Sequence, residues 1–408
     1  MPGAEKGIEL REEQATVSEV RPRTIPFHRP MFDDREAAAV ADVLKSGWIT
    51  TGERTAEFER RFAEYVGASH AVALNSCTAA LHIALAAEGI GPGDEVITTP
   101  YTFVATVETI CYEGATPVLV DVDPITRNID PALIEAKITP RTRAIVPVHV
   151  AGLPCEMDSI TDIARRHGLA VIEDAAHSLP ASYRGRKIGA LSKATAFSFY
   201  ATKNLTTAEG GMLTTQDPEL ARRYRRMSLH GITSDGWKRY RLGGKWFYEV
   251  VELGYKYNLT DVASSIGIVQ LEKLDAFDRR RQELAAFFRK RLSEFPGIGV
   301  PPSPDHVHHA WHLFIVDLDE KVAGVNRETF IERLTEQGVG TSVHFIPVHL
   351  HPFYAKHLGH RRGDFPGAEE AFERAVSLPL YPAMSDEDAE YVVHAVGRAL
   401  RADKTTRS

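Results

Sequence analysis

Two rhythms of apolar and polar positions run along this chain. From about residue 70, short apolar runs alternate with amphipathic stretches. The runs 71–74, 95–98, 117–120, 144–148, 170–173, 194–199 and 212–215 predict strands. Between them, 79–87, 104–112, 131–137, 159–167 and 218–229 carry helical periodicity, and Pro131 and Pro218 stand where a first helical turn tolerates proline. Such strand–helix alternation predicts an α/β fold, a mostly parallel sheet with helices on both faces in a three-layer sandwich. The rhythm changes near residue 260. A long helical stretch from 261 to about 292 leads into a smaller α+β section, where 312–318 and 341–345 predict strands and 327–337 and 385–401 predict helices. The expected division is an arm over 1–24, a large α/β domain over 25–270 and a small C-terminal domain over 271–408.

The arm carries Glu5, Lys6, Glu9, Arg11, Glu12, Glu13, Glu19, Arg21 and Arg23 and no apolar core of a signal peptide, so it reads as mobile or weakly docked. With 408 residues, 43% hydrophobic, the chain has room for two domains and a deep active site. A formal charge of −7 argues against nucleic acid as a partner, although it permits a local cationic pocket for a small phosphorylated ligand. No apolar run is long enough to cross a bilayer. The cysteines, Cys77, Cys111 and Cys155, are scattered without metal-type pairing, which predicts a reducing, cytoplasmic setting.

Candidate chemistry centres on Lys203, in the loop after the run 194–199, and on Asp174, in Ile172-Glu173-Asp174-Ala175-Ala176-His177. An acid ending one strand and a lysine following another suit pyridoxal phosphate (PLP) chemistry. The amine can form a Schiff base with the cofactor aldehyde, and the carboxylate can keep the pyridine nitrogen protonated. Taken alone, most lysines are solvated. Here Gly210-Gly211 lets the backbone turn tightly and pass close to a ligand, and an amine kept in such a site has its pKa lowered. Asp174 falls at a carboxyl strand end, where open α/β sheets bind ligands. His177 could hydrogen-bond the cofactor's phenolic oxygen or support Asp174, although a lone histidine there is more often structural.

Asn75-Ser76-Cys77-Thr78-Ala79-Ala80-Leu81 reads as a strand end entering a helix, with N–H groups free for a phosphate; the plainer reading makes Thr78 an N-cap. Ser198 could add a hydroxyl, and Phe103 could stack on the pyridine ring or simply pack in the core. The loop holding Trp237, Lys238 and Arg241 suits a nucleotide diphosphate and base, or is a solvated basic loop. His306, His308, His309 and His312, with His344, His349 and His351, fit no metal spacing and read as polar lining of a substrate pocket; no metal is expected. Gly89-Ile90-Gly91-Pro92-Gly93 precedes its strand, so it is not a dinucleotide loop.

From about Ile25 to Leu400 these motifs resemble the DegT/StrS-type sugar aminotransferases of PLP fold type I, the aspartate aminotransferase-like fold. The likeness is carried by Ser46–Gly52, Asn75–Leu81, Gly93–Ile97, Gly114–Pro117, Val120–Asp123, Glu173–His177, Ser198–Gly211 and Gly254–Asp261. Gly254–Asp261 and Ala310–Phe314 are most similar to the branch that forms UDP-4-amino-4-deoxy-arabinose. The resemblance implies a homodimer with active sites at the interface. Lys203 would hold PLP, Asp174 would pair with the pyridine nitrogen and Phe103 would stack. Thr78, the Cys77 backbone and Ser198 would hold the phosphate, helped by Lys256 and Asn258 from the partner subunit. Thr51, Trp237, Lys238, Arg241, His312, His344 and Phe345 are candidate substrate contacts.

The implied reaction is ping-pong. L-glutamate converts PLP to pyridoxamine phosphate, and a nucleotide-linked keto sugar then takes the nitrogen while Lys203 moves the proton. Relatives that remove a hydroxyl instead carry histidine at the lysine position, so Lys203 favours transamination. Lys203–Gly211 looks like the C4-aminating members, which implies a UDP- or dTDP-linked 4-keto sugar. The alternatives are a C3-aminating enzyme, a cyclitol (inosose) aminotransferase, or a PLP-binding regulatory protein without turnover.

Overall fold

A computed structural model describes residues 23–233 and 247–401. The seven strands expected from the first rhythm form one sheet, in the spatial order His70–Leu74, Gly211–Thr215, Ala194–Ser198, Ala170–Asp174, Thr142–Ile145, Glu95–Thr98 and Thr116–Leu119. Only Gly211–Thr215 runs antiparallel to its neighbours; every other adjacent pair is parallel. The connections explain this. Crossover helices such as Cys77–Ala87 and Met157–His167 return the chain to the same edge, whereas 199–210 is a loop without a helix and reverses direction. That reversing loop carries Lys203.

Both faces of the sheet are covered, as a three-layer sandwich requires. Consecutive strand residues separate into two cores: Ile97, Ile145, Val171, Phe197 and Met212 pack with Phe58 and Phe62, and Val96, Ala144, Ile172, Ala196 and Leu213 pack with Leu81, Ile83 and Leu85. The helices Asp34–Ser46 and Glu53–Val66, absent from the sequence expectations, lie on the first side. Asp33 caps the former in a reciprocal capping box with Glu36.

The helix Asp261–Leu292 follows the expected bounds and serves two cores. Its Ile268, Leu271 and Leu274 join the sheet-facing core. Its Leu284, Phe288 and Leu292 join another, built on the antiparallel strands Ile298–Gly299, Phe314–Leu318 and Ala375–Leu378. The strand expected at 341–345 does not form: only Ser342 bridges, to Ser377, and His344 and Phe345 turn instead toward a cavity. Residues 1–22 of the expected arm lie outside the described residues. Ile25 pairs with the C-terminal section, donating its N–H to the Gly338 carbonyl at 2.8 Å and accepting from the Gly340 N–H at 2.8 Å. Among the described residues no helix is long and apolar enough to cross a membrane.

One carboxylate ties the long helix to its neighbour. Gly52, the N-cap of Glu53–Val66, has no side chain to cap that helix. Asp261 does so from outside, accepting from the Gly52 N–H at 2.7 Å, the Thr55 N–H at 2.9 Å and the Thr55 hydroxyl at 2.7 Å. Asp261→Ala should therefore destabilise the protein by about 2–3 kcal/mol, since buried donors lose a charged acceptor. Asp261→Asn, whose amide oxygen still accepts, should lose less. Thermal unfolding of the two variants checks the order.

Candidate active site

At the carboxyl ends of the parallel strands lies a cavity of about 430 Å³, a size suited to a small organic ligand. Asp174 ends its strand at this rim, in register with Ala196 of the next strand. Its carboxylate accepts the Thr106 hydroxyl at 2.7 Å and the Ala176 N–H at 3.1 Å. Burial raises its pKa, and these two hydrogen bonds and the Lys203 charge oppose the rise. Lys203 enters the same cavity from the reversing loop. The loop is held by Asn204, whose amide donates to the Leu179 and Ala310 carbonyls at 2.9 and 2.8 Å. Burial brings the Lys203 amine down to about 8, against the charges of Cys77 and Asp174, which favour the ammonium.

A helix start faces the same space. Ser76, Cys77 and Thr78 line the cavity. The N-cap of Cys77–Ala87 is Ser76, whose hydroxyl accepts the Ala79 N–H at 3.1 Å, so Thr78 is not the cap and its side chain is released from that task. The Cys77 and Thr78 N–H groups, in the first turn, have no acceptor within their own helix. Gly211 contributes differently from the sequence expectation. A Cβ there would lie 2.6 Å from the Cys77 nitrogen and would collide with the Ser76 carbonyl group. The close approach of Gly211 is to the backbone of the helix start, while Gly210 lines the cavity. Ser198 and Phe103 also line the cavity, and Phe103 is 60% exposed, far from the packed core position that was its plainer reading.

Histidines form much of the remaining wall. His177 makes no hydrogen bond to the Asp174 carboxylate; its Nδ1 accepts the Ala151 N–H at 3.3 Å, which leaves Nε2 to carry the proton. Its ring stacks on Phe345 at 5.6 Å and lies 4.5 Å from that of His312. Burial holds His177 and His312 well below the usual imidazole range, with the Lys203 charge adding to it. His344 falls to about 4 for the same two reasons. Of the seven histidines in the expected lining, only His312 and His344 reach this cavity. His306, His308 and His349 pair with Glu156, Asp278 and Glu369, and His309 stacks on Trp311 at 3.8 Å. Phe27, His28, Tyr200 and Glu209 also line the cavity and were not expected from the sequence. Phe27 and His28 arrive through the long-range pairing of Ile25, which local periodicity cannot reveal.

Three expected contacts gather elsewhere. Asn258 donates to the Thr51 hydroxyl at 2.6 Å and accepts from the Lys256 amine, and none of the three lines the cavity of its own chain. Trp237, Lys238 and Arg241 lie outside the described residues.

A model of the DegT/DnrJ/EryC1/StrS aminotransferase family matches residues 30–397. The spore coat polysaccharide biosynthesis protein SpsC of Bacillus subtilis is 51% identical over 373 residues, 91% of this chain and 96% of its own length. Among solved structures, Spr1654 of Streptococcus pneumoniae, assigned as a sugar aminotransferase and solved in its PMP form, superposes with a TM-score of 0.87 at 34% identity, covering 92% of this chain and 99% of that one. DesV of S. venezuelae, solved with a ketimine intermediate, superposes with a TM-score of 0.83 at 38% identity, covering 91% and 95%.

The electrostatics give a direct expectation. In cofactor-free protein, labelling of Lys203 by an amine-selective reagent should grow with a midpoint near pH 8, as the neutral amine appears on raising pH. Asp174→Asn removes an anion that favours the ammonium, so the midpoint should move lower. Peptide mass mapping reads both. A midpoint near that of solvated lysine, about 10.4, would contradict the assignment.

Proposed function

The chain belongs to the DegT/DnrJ/EryC1/StrS aminotransferase family, and on that premise we propose that it is a PLP-dependent transaminase moving nitrogen from L-glutamate to C4 of a nucleotide-linked keto sugar. The observation that carries this reading is the meeting of a buried amine, a buried carboxylate and a helix N-terminus in one cavity. The residues fit the cofactor on physical grounds. Asp174, raised by burial, is stabilised by a cation such as a protonated pyridine nitrogen. The first-turn N–H groups of Cys77 and Thr78, with the Thr78 and Ser198 hydroxyls, suit a phosphate. Phe103 offers an exposed ring face. PLP, when bound, supplies a carbonyl for amine capture and a ring that accepts electron density, and pyridoxamine phosphate is its nitrogen-carrying form.

The chain's own groups do the rest. Lys203, with its amine near 8, is neutral in an appreciable fraction at physiological pH and can take up and return a proton. Asp174 places a carboxylate in the same cavity. His177, with its proton on Nε2, would be the donor to the cofactor's phenolic oxygen. His344, kept neutral and bonded through Nδ1 to Ser377, has its Nε2 left to meet a sugar hydroxyl without adding a charge to the cavity. Thr51, Lys256 and Asn258 reach no part of their own chain's cavity, which supports a homodimer in which they approach the partner's site. Three free thiols, Cys77 and Cys155 buried, are in keeping with a reducing cytoplasm.

PLP-loaded protein should be yellow and should lose that colour on addition of L-glutamate. Incubation with glutamate and a panel of 4-keto and 3-keto nucleotide sugars should give an amino sugar, seen by product mass, from the 4-keto members. Lys203→Ala should lower turnover by roughly 10³-fold. A variant that turned over normally would remove Lys203 from the role given to it.

A further inference from the structure

We propose that His312 is a positioning residue for Lys203, fixed by Asn204 with its proton on Nδ1 so that Nε2 offers a lone pair to the Lys203 amine. The argument begins with the amide of Asn204. Its nitrogen donates to two backbone carbonyls, Leu179 at 2.9 Å and Ala310 at 2.8 Å. Turning the amide over would set its oxygen against both carbonyls, so the orientation is determined. The oxygen left over faces His312 Nδ1 at 3.3 Å and can only accept, so Nδ1 must carry a proton. A neutral imidazole has one such proton. Nε2 is therefore bare, and it lies 3.5 Å from Lys203 Nζ.

The backbone beneath His312 is built to hold it. Its N–H and that of Leu313 both donate to the Ala151 carbonyl, at 3.0 and 3.2 Å. Ala151 and Trp311, neither a glycine, adopt left-handed φ angles of 58° and 46°, a conformation kept only where surrounding contacts enforce it. Gly152 closes the clamp: a Cβ there would stand 2.8 Å from the His177 carbonyl oxygen. The charged and titratable groups around the pair are Lys203, His177, Arg281 and His28 for His312, and Cys77 and Asp174 for Lys203. Burial first, and then the cationic neighbours, disfavour an imidazolium, so His312 stays a neutral acceptor. It takes one N–H of Lys203, directs the lone pair of the neutral amine into the cavity, and gives the ammonium a fixed partner.

The inference rests on Lys203 as the reactive amine, but its test is read in cofactor-free protein, so the two can fail separately. In pH-dependent labelling, His312→Leu should lower the Lys203 midpoint by about one unit, a tenfold rise in neutral amine at fixed pH below the midpoint. His312→Gln, whose amide oxygen can still accept, should stay near wild type. An unchanged midpoint in His312→Leu overturns the proposal, as does an equal shift in both variants. Should the variants fail to fold, nitrogen NMR of the wild-type imidazoles decides the matter. His312, assigned through contacts with Lys203 and His177, should carry hydrogen on Nδ1 and a bare Nε2 between about pH 6 and pH 9. A protonated Nε2 would overturn it.

Discussion

An amine and a carboxylate share one cavity at the ends of adjacent parallel strands, and much of the molecule follows from keeping them there. Each charge alone would be costly to bury, by several kcal/mol after relaxation. Burial drives the Lys203 amine toward neutrality and the Asp174 carboxyl toward protonation, and each charge pulls the other back. The balance leaves an amine near 8, poised to gain or lose a proton under ordinary conditions. Strand register places Asp174 beside Ala196, and the helix-free connection after the neighbouring strand brings Lys203 round to face it.

Around this pair the protein uses uncharged polar groups almost exclusively. Thr106 supplies a hydroxyl to Asp174, Ser76 caps the helix start, and His177, His312 and His344 are neutral imidazoles. A full cation beside Lys203 would depress the amine further; another carboxylate would lift it out of reach. Neutral donors and acceptors orient groups and move that set point less than a full charge would, which is why second contacts such as Ala151 to His177 and Asn204 to His312 matter.

The sequence disclosed the sheet and the reactive pair because both are local signals. Each apolar run maps to a buried strand, and Asp174 and Lys203 stand where strand ends place chemistry. The long helix was legible at both ends, from Asp261 to Leu292. Other features depend on distant partners. Residues 341–345 read as a strand from composition, but His344 and Phe345 are claimed by the cavity and only Ser342 bridges. Phe27 and His28 enter the site because Ile25 pairs near Val339, over three hundred residues away. The N-cap was misread by two residues, since Ser76 and Thr78 are equally good capping types and only geometry selects between them. The helix Asp34–Ser46 did have a signal, the Asp33 and Glu36 capping box.

The helix Asp261–Leu292 has one more implication. Asp174 and Lys203 belong to the sheet side of the molecule, whereas Leu378 and Leu380, on the facing wall of the cavity, belong with the second core. A single rod anchored in both cores acts as a caliper between those walls. The gap for an acceptor molecule is then governed as much by how Leu274 and Leu284 seat along that rod as by any group touching the ligand. Acceptor preference in such a scaffold can drift through remote repacking, with the reacting groups left untouched.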